Sequence, residues 1–108
     1  MCCLSSWCLN GLVAFGFCKG HKKYVDGTYI HTGLVENYSV SEDVLKIHTL
    51  SGSCYICKVE DVLLSEVEIT KEVLRMEGVD SNFINRLEDW KVRATQTSGD
   101  DFGKVGMI

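Results

Sequence analysis

The sequence lacks a hydrophobic run long enough to cross a membrane. Its most apolar segment, residues 1–18, is interrupted by Ser5, Ser6 and Asn10, and the uninterrupted stretch 11–18 has only eight residues. A transmembrane helix needs about 20 consecutive apolar residues. The segment is therefore expected to form a strand or another buried element of the core, and no membrane span is predicted.

An excess of positive charge is also missing. The 108 residues carry a formal net charge of −4, which disfavours a protein that binds nucleic acid by neutralising phosphates. The charge is unevenly placed: residues 1–58 hold five lysines against four acidic residues, whereas residues 59–108 hold six basic residues against eleven acidic ones. Nucleic acid is therefore not the expected partner.

Catalytic motifs are absent as well. The sequence contains no nucleophile elbow, phosphate-binding loop or paired-carboxylate motif. A cysteine and a histidine can be paired on paper, but nucleophilic catalysis requires both side chains to converge with oxyanion donors in one pocket. A non-catalytic protein is expected.

What the sequence does contain is a change of periodicity near residue 60. Residues 1–59 consist mainly of short β-forming segments separated by turns, and residues 60–94 carry apolar residues at helical spacing. We expect one α+β domain over 1–108: a small antiparallel β-sheet, or an SH3-like or Sm-like barrel, followed by two short α-helices. Residues 95–108 are expected to be loop or tail, with an edge strand at 102–108 as the alternative.

Apolar stripes and capping signals predict the two helices. The first is expected to place Ile69, Val73 and Met76 on one apolar face, with Leu74 beside them, and to end just before Gly78. The second is expected to be capped by Asp80 or Ser81. Its apolar stripe consists of Phe83, Ile84, Leu87 and Trp90.

Six cysteines are many for a chain of this length. An even number permits three disulfides in a secreted protein, but no Lys or Arg precedes Lys19, so the basic start of a secretion signal is missing. Free cysteines that act as small buried hydrophobic residues in a reducing compartment are the favoured interpretation. A cytoplasmic location is therefore expected.

A zinc-stabilised module is the sharpest functional hypothesis. Cys18 and His21 form a C-x-x-H pair, and Cys54 and Cys57 form a C-x-x-C pair. Together they supply the number and type of ligands that a closed tetrahedral zinc site uses. Gly20 would permit the tight turn that the first pair requires.

The predicted strand around Tyr55 opposes that zinc site. In an extended strand, residues three apart point to opposite faces, and Cys54 and Cys57 would be about 10 Å apart at Cα. A three-residue hairpin loop over 51–53 would pair Thr49 with Tyr55 and Ile47 with Cys57, leaving one apolar face. Apart from zinc, no cofactor is expected.

A helix-turn-helix is a second hypothesis, for residues 72–90. The turn at Gly78 and the apolar residues after it have the general spacing of that motif, and Arg86 would be its binding residue. The presumed recognition helix also carries Asp80, Glu88 and Asp89, which would repel phosphates. An ordinary pair of packed helices is the simpler interpretation.

Protein binding is the favoured function class. Tyr24, Tyr29 and Tyr38 lie among short strands, and exposed aromatic residues are frequent anchors of interfaces. The apolar segment 1–18 could also be covered by a second copy, which would make a homo-oligomer. We therefore expect a small regulatory protein with a protein partner, of the kind found among phage and viral accessory factors.

Overall fold

The strands come first along the chain and the helices last. The computed structural model describes the backbone of residues 1–106 and the side chains of residues 1–95. The strands are β1 (Cys2–Asn10), β2 (Val13–Lys19), β3 (Tyr29–His31), β4 (Val35–Ser41), β5 (Val44–Thr49) and β6 (Cys54–Lys58). Two 3-10 turns, Val59–Asp61 and Leu64–Glu66, lead to α1 (Val67–Met76) and α2 (Ser81–Gly106). The predicted α+β class is confirmed.

All six strands belong to one sheet, in the order β3-β2-β1-β6-β5-β4. Two antiparallel three-stranded units, β1 to β3 and β4 to β6, meet where β1 runs parallel to β6. In that pair Cys2 lies opposite Tyr55 and Leu4 lies opposite Cys57. The sheet is open, with β3 and β4 as its edges, rather than closed into the barrel that the sequence also allowed.

The two faces of this sheet have different surroundings. Residues paired across neighbouring strands point to the same face. Cys18, Leu4, Cys57 and Leu45 form one such row, and all four are buried in the cluster that also contains the apolar side chains of the helices. We call this the covered face. The opposite side, to which Phe17, Lys19 and Lys58 point, is the open face.

The apolar N-terminal segment forms the middle of the sheet. β1 lies between β2 and β6, and the side chains of Leu4, Trp7 and Leu9 are buried. The Trp7 Nε1–H donates a hydrogen bond to the Lys58 carbonyl over 2.6 Å, so the indole satisfies its polar atom inside the core. Much of the surface proposed for self-association is therefore used in folding the chain itself.

The hairpin between β5 and β6 has the predicted inner face but a different register. Ile47 pairs with Tyr55, and Thr49 binds Ser53 through both backbone and side chain. The three-residue loop is therefore 50–52 instead of 51–53. The reason is Gly52, whose φ is +90°: the last position of such a loop is left-handed, and glycine adopts that conformation without strain.

The apolar face predicted for α1 is only partly right: Leu74 is buried and Val73 packs against the core, but the face is rotated. Ile69 and Met76 are exposed, and the buried face contains Val67 and Leu74 together with Thr70 and Lys71. The Thr70 hydroxyl accepts a hydrogen bond from the backbone N–H of Leu9 over 3.1 Å. Lys71 forms ion pairs with Glu88 over 2.6 Å and with Glu68 over 3.1 Å. Thr70 and Lys71 can be buried because each has a hydrogen-bonding or ionic partner, and a pattern of apolar residues alone does not indicate such positions.

The turn between the helices and the stripe of α2 are as predicted. Gly78, with φ +72°, ends α1: its N–H and that of Val79 donate to the carbonyls of Arg75 and Leu74, the hydrogen bonds of a Schellman motif. Asp80 caps α2 by accepting from the Asn82 N–H over 2.9 Å. The predicted stripe of α2 is buried or half-buried against the core.

Helix α2 is longer than the sequence suggested. It continues to Gly106, so residues 95–106 are helical instead of a loop, tail or edge strand, and residues 107–108 lie outside the described part. Within the residues that the structure describes, neither helix combines the length and apolar character that crossing a membrane requires.

Candidate binding surface

The four proposed zinc ligands are not brought together. In β6, Cys57 points to the covered face and Cys54 to the open face, because the strand is extended through Tyr55. Cys18 shares the covered face with Cys57, but Leu4 lies between them on β1. Among the residues described, no group of three or more His, Cys, Asp or Glu side chains could hold a metal ion.

His21 has an aromatic environment. It lies in the loop between β2 and β3, with its ring centroid 4.8 Å from that of Tyr24. Its Nε2 is 3.4 Å from the Tyr55 hydroxyl, and its Nδ1 accepts a hydrogen bond from the Lys23 N–H. This loop folds over one end of the covered face, where the Cys18 thiol contacts the Val25 carbonyl at 3.5 Å.

Burial disfavours the thiolate form of three cysteines, Cys57, Cys2 and Cys8. Burial raises the pKa of Cys57 well above its ordinary value, and nearby thiols add to the effect. Burial is also the largest cause that raises the pKa of Cys2 and of Cys8. Because the thiolate is the reactive form, these environments disfavour covalent catalysis by the three side chains.

The three tyrosines proposed for binding lie in three different places. Tyr24 belongs to the loop over the covered face, Tyr29 points to the open face from β3, and Tyr38 packs against the core from β4. Burial, with a smaller contribution from Glu77, raises the pKa of Tyr38 to about 12. Tyr24 and Tyr29 are 48% and 54% exposed, so only these two are available for a partner.

Arg86, the residue proposed for nucleic-acid recognition, is engaged within the chain. Its guanidinium forms a 2.6 Å ion pair with Asp43 in the turn between β4 and β5. The contact joins α2 to the end of the sheet. Helix α2 thus packs through its apolar stripe on the covered face and, through Arg86, holds the adjacent turn.

An aromatic cluster on the open face is the feature that the sequence interpretation missed. Phe15 and Phe17 of β2 lie opposite His31 and Tyr29 of β3. The Phe17 and Tyr29 rings meet edge to face with centroids 5.1 Å apart, and Phe15 lies 6.4 Å from Tyr29 and 6.1 Å from His31. Phe17 is 41% exposed. The cluster is therefore an ordered, accessible aromatic surface.

The alternation within β2 explains why this cluster faces outward. Ala14, Gly16 and Cys18 are buried, whereas Phe15 and Phe17 alternate with them and point to the other side. The small residues leave room for the neighbouring strands and the core on the covered face. The alternation of small and aromatic residues along β2 could therefore have predicted that the aromatic side chains point away from the core.

Comparison with known proteins identifies no function for this chain. No protein-family model matches the chain, and no curated protein or solved structure is significantly similar to it.

Proposed function

We propose that this chain is a non-catalytic binding protein and that the open face of its sheet contacts the partner. The observation that carries the proposal is the aromatic cluster around Phe17 and Tyr29. A folded chain gains stability by burying such side chains, and this chain keeps both substantially exposed. A partner that covers them would recover that burial, which is how aromatic anchors contribute to interfaces.

The covered face is not available to a partner, which supports the open face as the contact surface. Helices α1 and α2 and the loop between β2 and β3 already occupy it, and its side chains form one core. A rigid sheet with one face packed and one face accessible positions its exposed side chains without a further folding step, which lowers the entropic cost of binding.

Two tyrosines of matched exposure provide the test. Tyr29→Ser removes an anchor of the open face, and Tyr24→Ser removes a tyrosine of similar exposure over the covered face. The tagged chain and both variants are produced in the cells of origin, crosslinked, and compared for the complexes that they retain. Tyr29→Ser is expected to lose complexes that wild type and Tyr24→Ser keep. Equal retention by the two variants, or selective loss with Tyr24→Ser, would refute the proposal.

A further inference from the structure

The positive charges of the sheet are gathered on the open face. A row of paired residues crosses four strands in the order Lys19, Cys3, Ile56 and Lys46, so both lysines point to the same side. Lys58 is two residues beyond Ile56 on β6 and shares that side. Three lysines therefore lie on one face of a chain whose overall charge is −4.

Many of the acidic residues lie on the helices. Those of the helices belong to the elements on the covered face, where Glu68 and Glu88 pair with Lys71. Some acidic residues do border the open face: Glu66 lies beside Phe15 and Tyr29, and Glu36 lies beside His48. Lys58, at the end of β6, shares one cleft with Asp61 and another with Asp43, Glu60 and Asp89. The net charge alone does not decide against a polyanionic partner, because none of the ion pairs among the described residues involves Lys19, Lys46 or Lys58.

The lysines and the aromatic cluster are within reach of one extended ligand. Lys19 is two residues from Phe17 on the same side of β2, about 7 Å away at Cα. Ser5 on β1 lies opposite Phe17 on β2, and the residue before it, Leu4, lies opposite Cys57 on β6. Because β1 and β6 are parallel, Ser5 is next to Lys58 across that pair. Lys58 is thus about two strand spacings, or roughly 10 Å, from Phe17. Cationic side chains flank the exposed rings on the open face.

From this arrangement we infer that the open face binds single-stranded nucleic acid, an inference that rests on the proposed function. Bases stack on exposed aromatic rings largely without regard to sequence, while lysines neutralise the phosphates between them. A duplex keeps its bases stacked on one another and offers no free base faces to such rings. An acidic peptide would use the lysines but would give the rings no planar partner.

Binding is tested with the full chain and a fluorescent oligothymidylate of about 12 nucleotides, a length in the range that small stacking surfaces occupy. Anisotropy is measured at about 50 mM salt and then over a salt series. An oligouridylate of the same length separates RNA from DNA preference, and binding to either supports the inference. A duplex and a polyglutamate peptide serve as competitors, and both are expected to compete weakly.

Matched variants locate the site. Phe17→Ser is expected to weaken binding by about 5- to 150-fold, the effect of losing one stacked base, whereas Tyr24→Ser leaves it unchanged. Lys19→Gln is expected to lower the salt slope by about 0.7, whereas Lys22→Gln, in the loop beside Tyr55, leaves it unchanged. Thermal unfolding of each variant verifies that the fold is retained.

The outcomes separate this inference from the proposed function. Absence of oligonucleotide binding at low salt, equally tight binding of polyglutamate, or equal effects of the paired variants would each overturn it. If Tyr29→Ser still loses crosslinked complexes in that case, the open face binds a protein instead. If Tyr29→Ser also behaves like Tyr24→Ser, the proposed function fails as well.

Discussion

The hydrogen bond between Thr70 and Leu9 gives the sharpest prediction about how the helices are held on the sheet. The Thr70 side chain is fully buried, and its hydroxyl oxygen accepts from the Leu9 N–H over 3.1 Å. Thr70→Val keeps the shape of the side chain and leaves that backbone N–H buried without a partner. The expected cost is about 1–3 kcal/mol of unfolding free energy.

Urea denaturation followed by tryptophan fluorescence measures this cost. A loss of this size would lower the melting temperature by roughly 4–20 °C in a domain of about 100 residues. Thr70→Ser keeps the hydroxyl and serves as control, and hydrogen exchange of the Leu9 amide separates the two variants. Exchange should accelerate in Thr70→Val and stay close to wild type in Thr70→Ser. Unchanged stability together with unchanged Leu9 exchange in Thr70→Val would refute the reasoning.

Three further predictions follow from burial and backbone conformation. Tyr38 should titrate near pH 12, because burial raises its pKa from the ordinary value of 10.0. Its contribution to stability is therefore complete below about pH 10 and falls between pH 10 and 12. Ultraviolet titration of Tyr38→Phe should lack that late step, and its presence would contradict the assignment. Thiol labelling of the native protein should modify the half-buried Cys3 and Cys54 first and the four buried cysteines only on unfolding; early labelling of a buried one would contradict the fold. Gly78→Ala should lower stability by about 1–2 kcal/mol in thermal melts, because its φ of +72° strains any side chain, and no change would argue against the Schellman turn.

The β5–β6 hairpin shows what the sequence could predict. Alternation of Ile47 and Tyr55 with polar neighbours identified the inner face and hence the opposite directions of Cys54 and Cys57. The register was wrong because loops over 50–52 and 51–53 both keep that face inside. The two loops differ in their last residue, which is Gly52 in the loop 50–52 and Ser53 in the loop 51–53. The left-handed conformation of Gly52 favours the first loop.

Two other features depend on tertiary contacts that local patterns do not contain. The parallel pairing of β1 with β6 joins residues more than 50 positions apart, and no turn signal specifies it. Lys71 can lie on the buried face of α1 because it forms an ion pair with Glu88 of α2. Phe15 and Phe17 were interpreted as core because apolar strands usually are, although the small residues between them indicated the outward direction.

Amide shifts in the NMR spectrum of the labelled chain, recorded as the oligothymidylate is added, test the central claim most directly. If the open face is the contact surface, the amides of Phe17, Lys19 and Tyr29 should move together, and those of Leu74 and Leu87 on the helices should stay in place. Shifts confined to α1, α2 or the loop that carries Tyr24 would contradict the account.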